Sequence, residues 1–241
     1  MSPARAPAHR RPVPLSIRSN LSRADVEVTL VGAGRSGGQI ARTAAMLGFP
    51  LRLYDFDRLA PENQGRQLYR RRDIAARRAK VRALRAEVRA IVPAALVRVH
   101  VERFTASEEQ PYSPCIVLAV DSMRERRAIW DRLRDDVHWL LLLDVRIGPG
   151  CVRLHEVRRK EAGDCGDYAA SLHDDPEDPV PPPCAQDSTA HAAAAAAALV
   201  AGALCAFVDG TARPRWIAVD LDRAHWAAGD ARGSESDPGE E

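Results

Sequence analysis

Residues 26–55 read VEVTLVGAGRSGGQIARTAAMLGFPLRLYD. Val26 to Val31 is a short β-rich run, and Gly32-Ala33-Gly34-Arg35-Ser36-Gly37-Gly38 follows it at once. Gln39 to Leu47 has the small and apolar spacing of a helix, Gly48 closes it, and Leu51 to Tyr54 is a second strand that ends at Asp55. Strand, glycine turn, helix, strand and acid form a recurrent nucleotide-binding unit. The unpaired N–H groups at the helix start sit at the positive end of its dipole and bind phosphate, and glycines at Gly32, Gly34 and Gly37 allow close approach. Asp55 stands where an acid bonds a ribose hydroxyl. At this point NAD and ATP fit equally well.

Downstream, Asp73 to Val92 has apolar residues at Ile74, Val81, Leu84, Val88 and Ile91, which predicts one basic helix. Val97 to Val101 is a third strand. Cys115 to Val120 and Trp139 to Asp144 are continuous apolar runs, as expected of strands buried on both faces, with a helix at Met123 to Leu133 between them. Asp164 to Pro183 reads as loop, and Trp216 to Leu221 as a last strand. The fold class is α/β: a doubly wound, mostly parallel Rossmann-like sheet with helices on both faces. One domain spans 25–222, with a nucleotide half at 25–150 and a second half at 151–222. Residues 1–24 form a basic arm and 223–241 an acidic tail, both expected to be flexible.

Composition narrows the function classes. A formal net charge of +2 gives no general reason to expect nucleic acid, and the arginines at 70–72 and 77–78 lack the interleaved aromatic residues of a strand-binding groove. The alanine-rich run from Ala192 to Val208 is short for a membrane span and is read as a buried helix, so no membrane partner is expected. Five cysteines, an odd number, suit free thiols in a reducing cytoplasm. They form no C-x-x-C pair, which argues against zinc.

The segment 55–80, DFDRLAPENQGRQLYRRRDIAARRAK, carries a more specific pattern. With its D-x-D, N-x-x-R-Q and later lysine, it resembles the ThiF/MoeB/HesA family, related to the adenylation domain of ubiquitin-activating enzymes. The likeness continues at Val120-Asp121-Ser122, at LLDVRIG (142–148), and at Cys184 before the small-residue helix. It covers about Val26 to Leu221. The wording at 63–67 and Asp144-x-Arg146-x-Gly148 look nearest to plasmid- and phage-associated ThiF proteins, those of PRTRC systems included.

The resemblance implies an enzyme that attacks the α-phosphate of ATP with a carboxylate, releasing pyrophosphate and leaving an acyl-adenylate. It implies that Arg66 and Lys80 clamp the triphosphate, with Asn63 and Gln67 beside them. Asp55 takes the ribose, Asp57 orders the loop or assists the metal, and Asp121 holds magnesium. Cys184 is the candidate covalent nucleophile, and Arg18 or Arg23 a candidate arginine lent between subunits of a homodimer. The implied acceptor is the C-terminus of a small ubiquitin-like or sulfur-carrier protein. Arg35 departs from the pattern, standing where relatives commonly have glycine. Two other readings compete: a catalytically inactive scaffold on the same fold, and an NAD-dependent oxidoreductase, which would leave Asn63, Arg66, Lys80 and Asp121 without a task.

Overall fold

The computed structural model describes residues 22–161, 163–173 and 190–230. Cys184 and Arg18 lie outside them. Eight strands form one sheet: β1 (Val28–Val31), β2 (Leu51–Tyr54), β3 (Val97–His100), β4 (Cys115–Leu118), β5 (Leu141–Ile147), β6 (Cys151–Arg158), β7 (Trp216–Asp220) and β8 (His225–Gly229), in the order β3-β2-β1-β4-β5-β6-β7-β8. The first five run parallel and the last three antiparallel. The mostly parallel, doubly wound expectation holds, with the antiparallel side larger than the sequence suggested.

Burial explains the strand composition. Every residue of β1 and β4 is buried, as are the first five of β5, because helices cover both faces. One face carries α1 (Arg35–Met46), α3 (Lys80–Ile91) and α6 (Ala190–Asp209). On α1, Ile40, Ala41, Ala44 and Ala45 are buried, and they share one core with Ala192, Ala196, Ala197 and Val200 of α6. Small side chains on both helices permit close packing. By length and composition α6 could cross a membrane, yet it packs on α1, β5 and β6. The other face carries α4 (Met123–Leu133) and α5 (Asp164–Ala170), where Ile129, Trp130, Leu133 and Tyr168 build a second core with Phe104, Tyr112 and Trp139.

Three elements differ from the sequence reading. The helix expected over Asp73 to Val92 is two, α2 (Arg71–Ala75) and α3. Arg77 adopts φ +47°, and Ala79 pairs with Arg58 in an isolated β-bridge, so the chain breaks and restarts at Lys80. The supposed loop after Asp164 begins with α5, whose first-turn acids are held by Arg215 at 2.6 Å each. β8 lies within the stretch read as a tail and pairs fully with β7.

The register places the site. Val31 pairs with Tyr54 and with Leu118, and Leu118 with Asp144. The carboxyl ends of β2, β1 and β4 therefore finish in one row, level with Asp144, and β5 runs three residues further, to Ile147. The chain departs in opposite directions from β1 and β4, which opens a crevice between them, the usual ligand position in such sheets.

Candidate functional site

A cleft of about 410 Å³ occupies that crevice. Its lining includes Gly32, Gly34, Arg35, Asp55, Asp57, Gln67 and Lys80 at one end, and Asp121, Arg126, Arg146 and His173 at the other. The size suits a ligand pocket.

The glycine turn is shaped by contact. A Cβ at Gly32, where φ is +96°, would stand 2.5 Å from the Ala119 carbonyl oxygen, and one at Gly37 would stand 2.0 Å from that of Gly32. These two glycines let α1 approach β1 and β4. A Cβ at Gly34 would meet nothing within 4 Å, so this N-cap leaves the helix start open to the cleft. Asp55 fixes the turn: its Oδ2 accepts from the Ala33 N–H and its Oδ1 from the Asp57 N–H, both at 2.7 Å. Burial pushes the Asp55 carboxyl up from its ordinary value, while Lys80 and the two N–H groups oppose the rise. The Tyr69 hydroxyl donates to the Ala33 carbonyl at 2.5 Å and braces the turn from the far side. Burial raises its pKa strongly, so the proton it donates is retained.

Lys80 opens α3. Its backbone N–H bonds the Asp57 carbonyl at 2.9 Å and its Nζ meets Asp57 Oδ2 at 2.7 Å. The break between α2 and α3 thus delivers this ammonium to the cleft. Gln67 also reaches the cleft, and its buried Oε1 has no partner among the described residues. Asn63 and Arg66 do not line the cleft. The Asn63 side chain accepts from the Ala60 N–H at 2.9 Å, capping its own 3-10 turn, and Arg66 is exposed. Asp121 precedes the N-cap Ser122 of α4 and is exposed at the cleft, where its carboxylate is available. Arg23 lies near the start of the described chain, outside the cleft lining.

At the β5 end the sequence reading quoted Asp144 and Arg146 only for their likeness to the family, gave them no task, and missed Arg126. Asp144, fully buried, accepts from Arg126 Nε at Oδ1 and from Arg146 Nε at Oδ2, each at 2.8 Å. Burial alone would raise the Asp144 carboxyl, but the two guanidiniums hold it below the ordinary range. Arg126 was detectable: it sits on the buried stripe of α4 with Met123, Ile129, Trp130 and Leu133, where a charge needs a buried partner. Arg103 and Glu125, paired with each other, also line the cleft.

The arrangement can hold a phosphorylated nucleotide at the α1 end: an open helix N-terminus, a fixed carboxylate and an ammonium. Among the described residues, no group of three or more His, Cys, Asp or Glu could hold a metal alone. A magnesium ion carried by a triphosphate needs only one carboxylate from the protein, and Asp121 could supply it.

Residues 15–215 match the ThiF family. No curated protein matches the sequence. Among solved structures the chain is similar to PaaA, with TM-score 0.66 and 20% identity over 85% of this chain and 64% of that one. It is similar to E. coli MccB with ATP, with TM-score 0.68 and 15% identity over 87% and 65%. It is also similar to the microcin C7 biosynthetic enzyme MccB in complex with N-formylated MccA, with TM-score 0.68 and 14% identity over 90% and 68%. The chain therefore spans less than two thirds of the length of the first two. At such identities these structures speak for the fold alone. The family match runs over most of the 241 residues, from before β1 to the start of β7: the chain belongs to the ThiF family.

Proposed function

We propose that the chain is an ATP-dependent adenylyltransferase that activates a carboxylate as an acyl-adenylate. The observation that carries this reading is one cleft lined by Gly34, Asp55, Lys80 and Asp121, brought together from four separate elements. In the reaction a carboxylate oxygen attacks the α-phosphorus and the bond to the bridging oxygen of pyrophosphate breaks. Little covalent chemistry falls to the protein, so catalysis is positioning and charge stabilisation. The α1 N-terminus would receive a phosphate, Asp55 the ribose and Lys80 the negative charge that builds on the phosphates. Asp121 would hold magnesium, which supplies charge neutralisation when bound. Arg66 would join Lys80 through movement of the segment that already brings Gln67 into the cleft.

The acceptor we favour is the C-terminus of a small ubiquitin-like or sulfur-carrier protein. The MccB structure with N-formylated MccA, a fold neighbour that holds a partner, supports that class. A second reading, an inactive scaffold, draws on Arg35 in the turn and on the position of Arg66 outside the cleft lining. ATP–pyrophosphate exchange with a carrier ending in Gly-Gly separates the two. Exchange in the native chain, reduced about a hundredfold by Asp121→Ala with the circular dichroism unchanged, is expected of the enzyme. Nucleotide binding with no exchange for any carrier would leave the scaffold.

A further inference from the structure

Arg126 and Arg146 share one buried carboxylate but are used differently. Arg126 gives its Nε to Asp144 and its Nη2 to the carbonyls of Val120 and Val145, the latter at 2.9 Å. These bonds tie the end of β4 to β5, and the Arg126 side chain is only 6% exposed, against 15% for Arg146. Arg146 lies two residues after Asp144 and so on the same face of β5. Its Nε meets Asp144 Oδ2 at 2.8 Å, and its Nη1 and Nη2 donate at 2.9 Å to the Ser171 carbonyl and hydroxyl. Three of the five N–H groups of the guanidinium are thereby used, and two remain on a side chain that lines the cleft.

The charges do not cancel. Within the Arg126–Asp144–Arg146 cluster one carboxylate faces two guanidiniums, and the further acid acting on Arg126 is Asp121, exposed at the cleft. His155, opposite Asp144 across the β5–β6 pair, is kept neutral by burial, which lowers its pKa to about 3. Tyr168, under the Arg146 guanidinium at 6.0 Å, is held protonated by burial. Glu125 is paired with Arg103, and Asp121 is the acid assigned above to magnesium. An anion is the ligand that completes this end, and a planar guanidinium held from behind suits a carboxylate.

We infer that Arg146 binds the carboxylate to be activated, with Asp144 and Arg126 as positioning residues that fix its guanidinium at the acceptor end of the cleft. This assignment rests on the adenylation reading and adds the residue that selects its substrate. The nucleotide then occupies the β1–β2 side of the crevice and the acceptor the β4–β5 side.

The test uses the full chain and two small probes, N-acetyl-glycylglycine and its C-terminal amide. Arginine Nε resonances are followed by NMR during titration, and Arg146→Gln identifies the Arg146 signal. The acid should shift that signal saturably and bind about tenfold more tightly than the amide, the loss typical of one charge-assisted contact. Arg146→Gln should abolish the preference for acid over amide. Equal responses to the two probes, or none to either while ATP still binds, would overturn the assignment and leave adenylation standing. Failure of ATP itself to bind would remove the adenylation reading, and this inference with it. Should Arg146→Gln not fold, the two probes on the native chain decide alone.

Discussion

The two ends of the cleft hold their side chains by opposite means. At the glycine turn, backbone does the work: Gly32 and Gly37 allow contacts that no Cβ could share, and Asp55 is fixed by the backbone N–H groups of Ala33 and Asp57. At the β5 end, side chains do it: Arg126, Asp144 and Arg146 hold one another across two elements, with Asp144 fully buried and Arg146 reaching the cleft. The first design tolerates change of charge and fails on added volume. The second tolerates change of volume better and fails on an unbalanced charge.

Asp144→Ala should therefore have the largest effect. It leaves two guanidiniums facing each other without their shared carboxylate, a loss of about 3–5 kcal/mol in denaturant unfolding. Gly37→Ala comes next, at about 3 kcal/mol, because the opposing atom is the Gly32 carbonyl of the backbone, which cannot swing aside. If Gly37→Ala proves the more damaging of the two, the β5 network is less dependent on its carboxylate than its burial implies. Lys80→Met should cost little stability but lower pyrophosphate exchange about a hundredfold, equivalent to about 2.7 kcal/mol in the barrier. Exchange that survives this change would leave the phosphate charge to the glycine turn and Arg66.

The same contrast explains what the sequence revealed. The β1–β2 end obeys local rules: a turn needs glycine, an acid follows a strand, and both lie within 26–55. Strand and helix runs at 51–54 and 123–133 were legible to the residue for the same reason. The break before Lys80 was not, because apolar spacing continues through it and only the positive φ of Arg77 and the bridge to Arg58 interrupt the helix. The Asp144 network depends on pairing of β4 with β5 and on α4 lying across them, which spacing along the chain does not encode. Its traces were a charge on each of two otherwise apolar stripes and the Asp144-x-Arg146-x-Gly148 wording, which gave neither residue a partner. Placement of Asn63 off the cleft was equally hidden, since a cap and a ligand are the same residue in sequence.

The β5 end should also respond to pH. His155 is charged near pH 6.5 when unfolded but only near 3 when folded, since burial and then Arg146 depress it. Between these values the unfolded chain binds the extra proton, so stability is lost as pH falls through the window and regained as pH rises. From pH 7 to pH 5 the loss should be about 1–2 kcal/mol, allowing for partial exposure of the ring. His155→Leu removes a buried Nε2 that has no partner and should flatten that slope in unfolding measured at both pH values. A slope that persists in the variant would place the titration elsewhere.

Arg66→Ala carries the smallest expected effect. The side chain is exposed, so stability should change by less than about 0.5 kcal/mol. Its chain neighbours suggest a role that only ligand would reveal. Gly65 stands at φ +74° with open space around it, and Gln67, which lines the cleft, keeps a buried oxygen without a partner among the described residues. A segment so placed can swing a guanidinium over a triphosphate, but ordering an exposed arginine costs much of what the contact returns. ATP affinity, measured by calorimetry, should therefore weaken only about fivefold, or about 1 kcal/mol. Unchanged affinity would confine triphosphate binding to Lys80 and the start of α1, and the cleft would then bind nucleotide without closing over it.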